Sequence, residues 1–401
     1  MQPQTSTASA TLDPRVFPHG LYVHLPFCNA ICTYCDFAVE RYSAARATVY
    51  LEALARELDV RTRNLFERNS INGERYAPRT IFLGGGTPTA FSAAELARFF
   101  EILERFVDTT GAVEFSIEAN PGTLDAEKLK LLREHRVNRL SLGVQSFQPH
   151  LLKLLGRVHG ADQGPEAVAL ARAAGFKNIS IDLMHGLPQQ SAVDLRQDLE
   201  RAVALGVGHI SAYSLMYEDG TPLKNAVARG VVEPLTPELE AAHYLTVMET
   251  LEDAGWAQYE VSNFARPGFE SEHNQLYWRN EAYLGVGVSA ASYIDRERCV
   301  NEEDVGCYVR QAGESGWAIA SRERLEPAAR AREALILELR MRRGVDRGQF
   351  AARWGCDPLA DGEAALSRYL SEGLLERLAD GRYRITRRGL PVADGILAEF
   401  V

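Results

Sequence analysis

Three closely spaced cysteines near the start of the chain are the residues whose chemistry is clearest. Cys28, Cys32 and Cys35 have the spacing C-x3-C-x2-C and follow a short apolar segment, residues 21–25. Cysteine thiolates are the usual protein ligands of iron–sulfur clusters. Three thiolates on one tight loop can hold three irons of a cubane and leave the fourth iron open to chelate a small molecule. The spacing therefore predicts a redox-active iron–sulfur centre.

Other chemistry stays open for this loop on the residues alone. Three Cys and one His can bind structural zinc, and a reactive thiol or a disulfide is a further interpretation. Zinc sites more often use paired C-x2-C segments, and the sequence contains no second pair. The remaining cysteines, Cys299, Cys307 and Cys356, show no ligand spacing and are expected to be ordinary residues of the fold. A thiolate loop must stay reduced, which favours the cytoplasm.

Length and charge limit the classes of protein to consider. The chain has 401 residues, enough for two or three domains, and 46% of them are hydrophobic. The formal net charge of -10 argues against a nucleic-acid binder, which normally carries a basic face. No run of 18 apolar residues predicts a membrane span. Residues 1–18 are polar, without the pattern of a secretion signal, and are predicted to be a loose leader.

The elements that must position the cysteines alternate between strand and helix. Apolar segments predict strands at 21–25, 80–83, 113–119, 137–144, 177–183 and 209–215, with helical patterns between them. Such alternation predicts right-handed βαβ units and a parallel sheet. We therefore expect an α/β fold whose first domain, residues 19–235, is a partial (β/α)6 barrel of the TIM type. Ligands of such barrels lie at the C-terminal ends of the strands.

Two further regions follow the predicted barrel. Residues 236–325 are predicted to extend it, with an amphipathic helix over 237–254 and a stretch rich in aromatic residues and Asn. Residues 326–401 are predicted to form a small domain in which three helices precede a hairpin that turns at Asp380-Gly381, and a last helix follows Thr386. Helices followed by a hairpin are typical of a winged-helix-like α+β domain.

A glycine-rich segment follows the second predicted strand. Residues 84–89 read GGGTPT, so Gly85 and Gly86 leave backbone groups open to close approach, and Thr87 follows them. The lysine of a phosphate-binding Walker loop is missing. The exposed backbone could instead hold the amino-acid end of a small molecule. A plain strand-to-helix turn is the alternative.

Polar side chains follow or interrupt the next three predicted strands. Glu118 ends the third strand and Gln145 ends the fourth, with Arg157 shortly after. Asp182 lies inside the apolar fifth strand, where a carboxylate is costly unless it is paired. We therefore expect Arg157 to pair with Asp182.

The segment HNQLYW, residues 273–278, has two interpretations. A His beside two aromatics is more often a packed, hydrogen-bonded residue than a ligand. Histidine is nevertheless a common axial ligand of haem iron, and Tyr277 and Trp278 would suit a flat macrocycle. Both interpretations of His273 stay open on the residues alone.

Taken in order, these motifs resemble one family. They are similar to the HemW proteins, haem chaperones of the radical S-adenosylmethionine (SAM) superfamily that were once described as oxygen-independent coproporphyrinogen III oxidase-like. The match covers roughly residues 20–400, including the C-terminal segment. The segments that carry it are YVHLPFC at 22–28, GGGTPT at 84–89, EANP at 118–121, GVQSF at 143–147, IDLMHGLP at 181–188 and HNQLYW at 273–278.

The resemblance implies a [4Fe–4S] cluster on Cys28, Cys32 and Cys35, with SAM at the open iron. It also implies a haem-binding role for His273. The residues that it suggests for cofactor binding are Tyr22, Tyr34, Gly85, Gly86, Thr87, Glu118, Gln145, Arg157 and Asp182.

One position separates two related families. The dehydrogenase HemN carries a fourth cysteine two places after the third, and here that position is Phe37. Phe37 and the HNQLYW segment both favour the chaperone. Two residues depart from the pattern of the family: Ile31 stands where a basic residue is usual, and His185 replaces a common Tyr before Gly-Leu-Pro.

The resemblance implies a carrier that binds haem and delivers it to apo-haemoproteins of the respiratory chain. Such a protein would be a cytoplasmic monomer or homodimer that reaches the membrane only peripherally, through its partners. The alternatives are a radical SAM oxidoreductase that decarboxylates coproporphyrinogen III and a radical SAM enzyme acting on another small molecule. Whether the protein is an enzyme therefore stays open.

Overall fold

A computed structural model describes residues 17–69, 75–360 and 362–400. Nearly all of the predicted leader, residues 1–16 of 1–18, lies outside the described residues. The boundaries drawn at residues 235 and 325 between the predicted regions remain predictions.

The strands are β1 Gly20–Leu25, β2 Phe27–Cys28, β3 Glu40–Arg41, β4 Thr80–Gly85, β5 Glu114–Ala119, β6 Arg139–Gln145, β7 Asn178–His185, β8 His209–Ser214, β9 Ala257–Gln258, β10 Asn263–Ala265, β11 Tyr283–Val286, β12 Ala291–Ile294, β13 Glu297–Asn301, β14 Ile319–Arg324, β15 Leu375–Arg377 and β16 Tyr383–Ile385.

The α-helices are α1 Ala44–Asn69, α2 Ala93–Phe106, α3 Ala126–Glu134, α4 Pro149–Leu154, α5 Gln163–Ala173, α6 Ala192–Leu205, α7 Pro222–Ala228, α8 Pro237–Asp253, α9 Glu272–Trp278, α10 Val305–Ser315, α11 Pro327–Leu339, α12 Arg347–Trp354, α13 Glu363–Ser371 and α14 Ala393–Ala398. Short 3-10 helices cover Pro88–Ala90, Pro121–Thr123 and Leu390–Val392.

The centre of the molecule is a parallel sheet in which β1, β4, β5, β6, β7 and β8 are neighbours in that order. All seven residues of β6 are buried, as expected for a strand covered on both faces. The connecting helices pack outside the sheet, and α2 begins with a reciprocal capping box between Ser92 and Glu95. The predicted α/β fold and its six parallel strands are confirmed.

The sheet extends beyond these six strands at both edges. On one side β11 pairs in parallel with β1, and β12, β13 and β14 follow as antiparallel strands. On the other side β10 and β9 add antiparallel strands to β8. These strands are short, and the β12–β13 hairpin turns at Asp295 and Arg296 with φ of 48° and 68°. The turn lacks the glycine that usually marks such a hairpin in a sequence.

The last described residues form helices α11 to α13 followed by the β15–β16 hairpin, as predicted for a winged-helix-like domain. A bridge between Glu260 and Met341 joins this part to the barrel extension. The predicted last helix after Thr386 is present as α14, but it is short and begins only after the 3-10 turn Leu390–Val392. Pro391 within that turn cannot donate a backbone hydrogen bond.

Among the described residues, helices of sufficient length and apolar character to cross a bilayer were not found.

Candidate functional site

The C-terminal ends of β4 to β8 surround a cavity of about 360 Å³, which we call the cofactor cavity. This is the position at which barrels of parallel strands place their sites. All of the predicted site residues except Tyr22 and His273 line it: Cys28, Cys32, Tyr34, Cys35, Gly85, Gly86, Thr87, Glu118, Gln145, Arg157 and Asp182. The structure therefore brings motifs together that are up to 154 residues apart in the chain (182 − 28).

The cysteine loop is anchored on both sides of the cavity. The backbone N–H of Tyr42 donates to the carbonyl of Cys28 at 2.9 Å, and the N–H of Thr33 donates to the carbonyl of Leu155 at 3.0 Å. Sγ of Cys28 lies 3.6 Å from Oγ1 of Thr87. Cys28, Cys32 and Cys35 are all free thiols. The loop thus presents three thiols to one cavity.

Electrostatic interaction with the neighbouring thiols contributes to the pKa values of Cys28 and Cys35. Burial raises the pKa of Cys28, and burial together with Cys32 and Cys28 raises the pKa of Cys35 to about 11. Three thiolates would therefore repel one another unless a cationic centre neutralised them. An all-sulfur donor set fits an iron–sulfur cluster, which takes thiolate ligands. Within the described residues, no three or more His, Cys, Asp or Glu side chains are arranged to hold a single metal ion.

Gly85 and Gly86 let two backbone segments meet. Gly85 has φ of 109°, and a Cβ there would lie 2.6 Å from the ring of His24. A Cβ on Gly86 would lie 2.8 Å from the backbone of Pro26, at the root of the cysteine loop. The end of β4 therefore packs directly against the segment that leads into Cys28, and side chains at these two positions would separate them.

Two carboxylates face the cavity from β5 and β7, the strands on either side of β6. Burial, together with the nearby Asp182, raises the pKa of Glu118 to about 8, although the backbone N–H of Gly85 stabilises its charge. Burial also raises the pKa of Asp182, while its hydrogen bonds to Ser211 and Ser141 oppose the shift. The hydroxyl of Ser141 donates to Asp182 at 3.1 Å. A cation or several hydroxyl donors in the cavity would relieve this acidic pair.

Arg157 does not pair with Asp182, so the expected ion pair is wrong. Its guanidinium donates to Oδ1 of Asn120, to the carbonyl of Gly143 at 2.6 Å and to Sγ of Cys32 at 3.3 Å. The left-handed turn at Gly156, with φ of 71°, directs the arginine toward the cysteine loop. A cation beside Cys32 stabilises a thiolate at that position.

Gln145 lies at a β-bulge and has a left-handed backbone with φ of 67°, which is uncommon for a residue other than glycine. Its Oε1 accepts a hydrogen bond of 2.7 Å from the hydroxyl of Tyr213. Strained residues of this kind concentrate at functional sites. The bulge and the tyrosine together aim the amide of Gln145 at the cavity.

The cavity lining also includes residues that were not predicted as site residues, among them Asn120, Ser141 and Tyr213. Asn120 joins two motifs, because it accepts from Arg157 and donates to Thr87 at 2.9 Å. The signal that could have found Asn120 is its position directly after a predicted strand, and Tyr213 lies near the C-terminal end of another. Ser141 lies mid-strand and has no such signal.

Tyr22 faces a separate space, which we call the tyrosine groove. This groove has a volume of about 510 Å³, and its lining includes Tyr22, Tyr277, Tyr283 and Arg298. The groove adjoins the cofactor cavity, because Asp36 and Phe37 of the cysteine loop line both. Burial raises the pKa of Tyr22, with Glu118 adding to the shift, so this phenol also senses the charge of the cofactor cavity.

His273 is 1% exposed, and both of its ring nitrogens are hydrogen-bonded. Nδ1 lies 2.8 Å from Oγ1 of Thr80, and Nε2 lies 2.8 Å from the hydroxyl of Tyr277. Phe82 stacks on the ring at 5.3 Å between centroids. Burial lowers the pKa of His273 to about 3. In this arrangement neither ring nitrogen is free to bind iron.

Ile31 and His185 lie in different surroundings. Ile31 is 43% exposed and lines the cofactor cavity, so this part of the wall is apolar. His185 is buried, stacks on Tyr244 at 5.5 Å between ring centroids, and has an Nδ1 without a hydrogen-bond partner. Of the two residues, Ile31 lies where it can contact a ligand in the cavity, and His185 is packed outside the cavity lining.

Comparison with known proteins agrees with this geometry. A model of the radical SAM superfamily matches residues 22–202, and a model of the HemN C-terminal domain matches residues 325–392. The solved structure of coproporphyrinogen III oxidase (HemN) from Escherichia coli, a radical SAM enzyme, superposes with a TM-score of 0.82 at 25% identity, covering 96% of this chain and 90% of that one.

Curated relatives match almost the whole chain. Heme chaperone HemW of Bacillus subtilis is 36% identical over 381 residues, which are 95% of this chain and 98% of the relative. Heme chaperone HemW of Escherichia coli is 30% identical and covers 96% of this chain and 98% of its own. This chain, with its cysteine loop and cofactor cavity on a radical SAM fold, belongs to the HemW family of heme chaperones.

Proposed function

We propose that this protein is a haem chaperone that binds haem, carries a [4Fe–4S] cluster and SAM, and passes the haem to apo-haemoproteins of the respiratory chain. The observation that carries the proposal is the convergence of three free thiols on one cavity in a chain of the HemW family. Haem is the cargo in this scheme, while the cluster and SAM are resident cofactors. The site of action would be the cytoplasm.

The residues of the cofactor cavity fit the two cofactors. Cys28, Cys32 and Cys35 would bind three irons of the cluster, and Arg157 would stabilise the charge on Cys32. The bound cluster and SAM supply one-electron chemistry.

The acidic and polar side chains of the cavity would bind SAM. Asp182 raises the proton affinity of Glu118, and burial raises that of both, so a sulfonium or ammonium group placed near them would favour their charged forms. Gly85 and Gly86 leave the backbone accessible beside the cysteine loop, and Gln145 and Asn120 offer amides for hydroxyl groups. Tyr34 and Thr87 complete the predicted contacts on the side of the cysteines.

The haem site is proposed to include the HNQLYW segment. Nε2 of His273 lies 2.8 Å from the hydroxyl of Tyr277, and Tyr277 lines the tyrosine groove. The groove volume of about 510 Å³ is within the range of small-molecule sites.

The first test is an anaerobic titration of the reconstituted protein with ferric haem, followed by visible absorption. We expect stoichiometric binding by the wild type and weaker binding by His273→Ala. His185→Ala is the matched control, because it also removes a buried histidine but lies away from the tyrosine groove. A second stage mixes the haem-loaded protein with a haem-free respiratory cytochrome and measures transfer. Failure of the wild type to bind haem would overturn the proposal.

A radical SAM oxidoreductase acting on coproporphyrinogen III is the second candidate. The superposition on the HemN fold favours it. Phe37, which is 63% exposed at the edge of the cysteine loop, occupies the position where HemN carries its fourth cysteine. The discriminating experiment is anaerobic incubation with coproporphyrinogen III and SAM. Decarboxylated product would establish this candidate, and SAM turnover without product would exclude it.

A further inference from the structure

We propose that Tyr277, rather than His273, is the residue whose atom binds the iron of ferric haem, and that His273 is a positioning residue for the phenol. The inference rests on the proposed function, because it assumes that haem is the cargo. It assigns separate roles to two residues of the HNQLYW segment.

The surroundings of the two side chains carry the distinction. The ring of His273 is buried between Phe82 and the edge of Tyr277, and Thr80 and Tyr277 occupy its two nitrogens. Iron could reach His273 only after one of these bonds broke and the helix α9 moved away from β4. Tyr277 in contrast is partly accessible and lines the tyrosine groove. An iron that enters the groove can therefore reach Tyr277 but not His273.

The chemistry of the pair suits a ferric centre. A tyrosine phenolate is an established axial ligand of haem iron, and ligands bound to metals are commonly oriented by a hydrogen bond from a second side chain. With the proton of His273 on Nε2, that nitrogen donates to the phenol oxygen of Tyr277 and Nδ1 accepts from the hydroxyl of Thr80. Thr80 thereby fixes the orientation of His273, and His273 fixes the orientation of the phenol.

The binding step balances without a redox partner. The O–H bond of Tyr277 breaks, a bond forms between the phenol oxygen and the ferric iron, and the released proton passes to solvent water in the groove. The iron stays ferric. His273 stays neutral, with Nε2–H donating to the phenolate oxygen and Nδ1 accepting from Thr80, so the histidine does not need to turn.

The groove can seat a flat ring beside this oxygen. Tyr283 packs edge-on against Tyr277 with ring centroids 4.7 Å apart, and Ala291 and Leu337 add apolar surface. On the side of the cofactor cavity the wall is Asp36 and Phe37. Polar side chains, among them His24, Asn280, Ser289 and Arg298, share this lining with the aromatic and apolar residues.

The test is resonance Raman and visible spectroscopy of the ferric haem complex in wild type, Tyr277→Phe, Tyr22→Phe, Tyr283→Phe and His273→Phe. We expect an iron–phenolate charge-transfer band and its Raman modes in the wild type. Tyr277→Phe should lose them, while Tyr22→Phe and Tyr283→Phe should retain them. His273→Phe should retain them with a shifted iron–oxygen frequency, since the hydrogen bond to the phenol oxygen is gone.

The outcomes separate this inference from the proposed function. Haem binding with an imidazole signature that disappears in His273→Phe would overturn the assignment of Tyr277 and leave the haem-carrier proposal in place. Loss of the phenolate band in Tyr22→Phe or Tyr283→Phe instead of Tyr277→Phe would move the ligand within the groove. Absence of any haem binding by the wild type would refute the proposed function itself.

Discussion

Several polar side chains of the cofactor cavity face open space, whereas His273 is enclosed by its hydrogen-bond partners. Cys35 and Glu118 line an accessible cavity, and their pKa values are raised by burial and by neighbours of the same charge. His273 has partners on both nitrogens and a pKa lowered to about 3. The first region is prepared to receive a charged group, and the second is already satisfied within the protein. Residue type alone does not reveal this difference.

The largest effect should come from the cysteine loop. Cys28→Ser removes a thiolate that no other side chain in the cavity can replace, so we expect nearly complete loss of cluster on anaerobic reconstitution. Iron and sulfide content and visible absorption are the measurements. Cys356→Ser is the matched control, because Cys356 is exposed and lies outside the cofactor cavity. Full iron content in Cys28→Ser would contradict the assignment of the cluster to the cysteine loop.

A smaller effect, on stability, should distinguish the two regions. His273→Phe keeps the ring between its neighbours but leaves Thr80 and Tyr277 without their partner, at a cost of about 1–3 kcal/mol in the free energy of unfolding. Glu118→Gln removes a buried carboxyl group that must take up a proton on folding at neutral pH, because its pKa is raised to about 8, so the variant should be at least as stable as wild type. Urea unfolding of the cofactor-free protein measures both. A Glu118→Gln protein that is the less stable of the two would reverse the comparison.

The smallest expected effect is a difference in the sign of pH dependence. The pKa of Glu118 is raised from 4.5 to about 8, so the folded state binds the proton more tightly and wild type should lose stability relative to Glu118→Gln as pH rises through that range. The pKa of His273 is lowered from 6.5 to about 3, so wild type should lose stability relative to His273→Phe as pH falls from 6.5 toward 3.

Between pH 4.5 and 6.5 these two differences should therefore slope in opposite directions. Urea unfolding at several pH values measures them. Parallel slopes would show that the two regions respond to protons alike.

Much of the fold and the cofactor cavity could be predicted because parallel strands bring their C-terminal ends together. Gly85, Glu118 and Gln145 each end a strand that the sequence pattern identifies, so their meeting follows from the topology. The pairing of Arg157 could not be predicted in this way, because it depends on the turn at Gly156. The same limit applies to strands β11–β14, whose hairpin turns at Asp295 and Arg296 without a glycine.

That His273 is packed and hydrogen-bonded was one of the two interpretations open from the sequence, but its partners could not be named. Its two partners, Thr80 and Tyr277, lie on different elements, and Thr80 is 193 residues away. A motif can therefore identify the residues that matter while leaving open which atom is available. Only the three-dimensional arrangement separates Tyr277 from His273.

Asp36 and Phe37 form part of the wall of both the cofactor cavity and the tyrosine groove. If the proposed SAM and haem occupy these two spaces, an effect of one ligand on the affinity for the other must be reciprocal. The factor by which bound SAM changes the affinity for haem would then equal the factor by which bound haem changes the affinity for SAM. One pair of titrations, each made with and without the second ligand, would measure that factor twice. Phe37→Ala would show how much of it passes through this side chain.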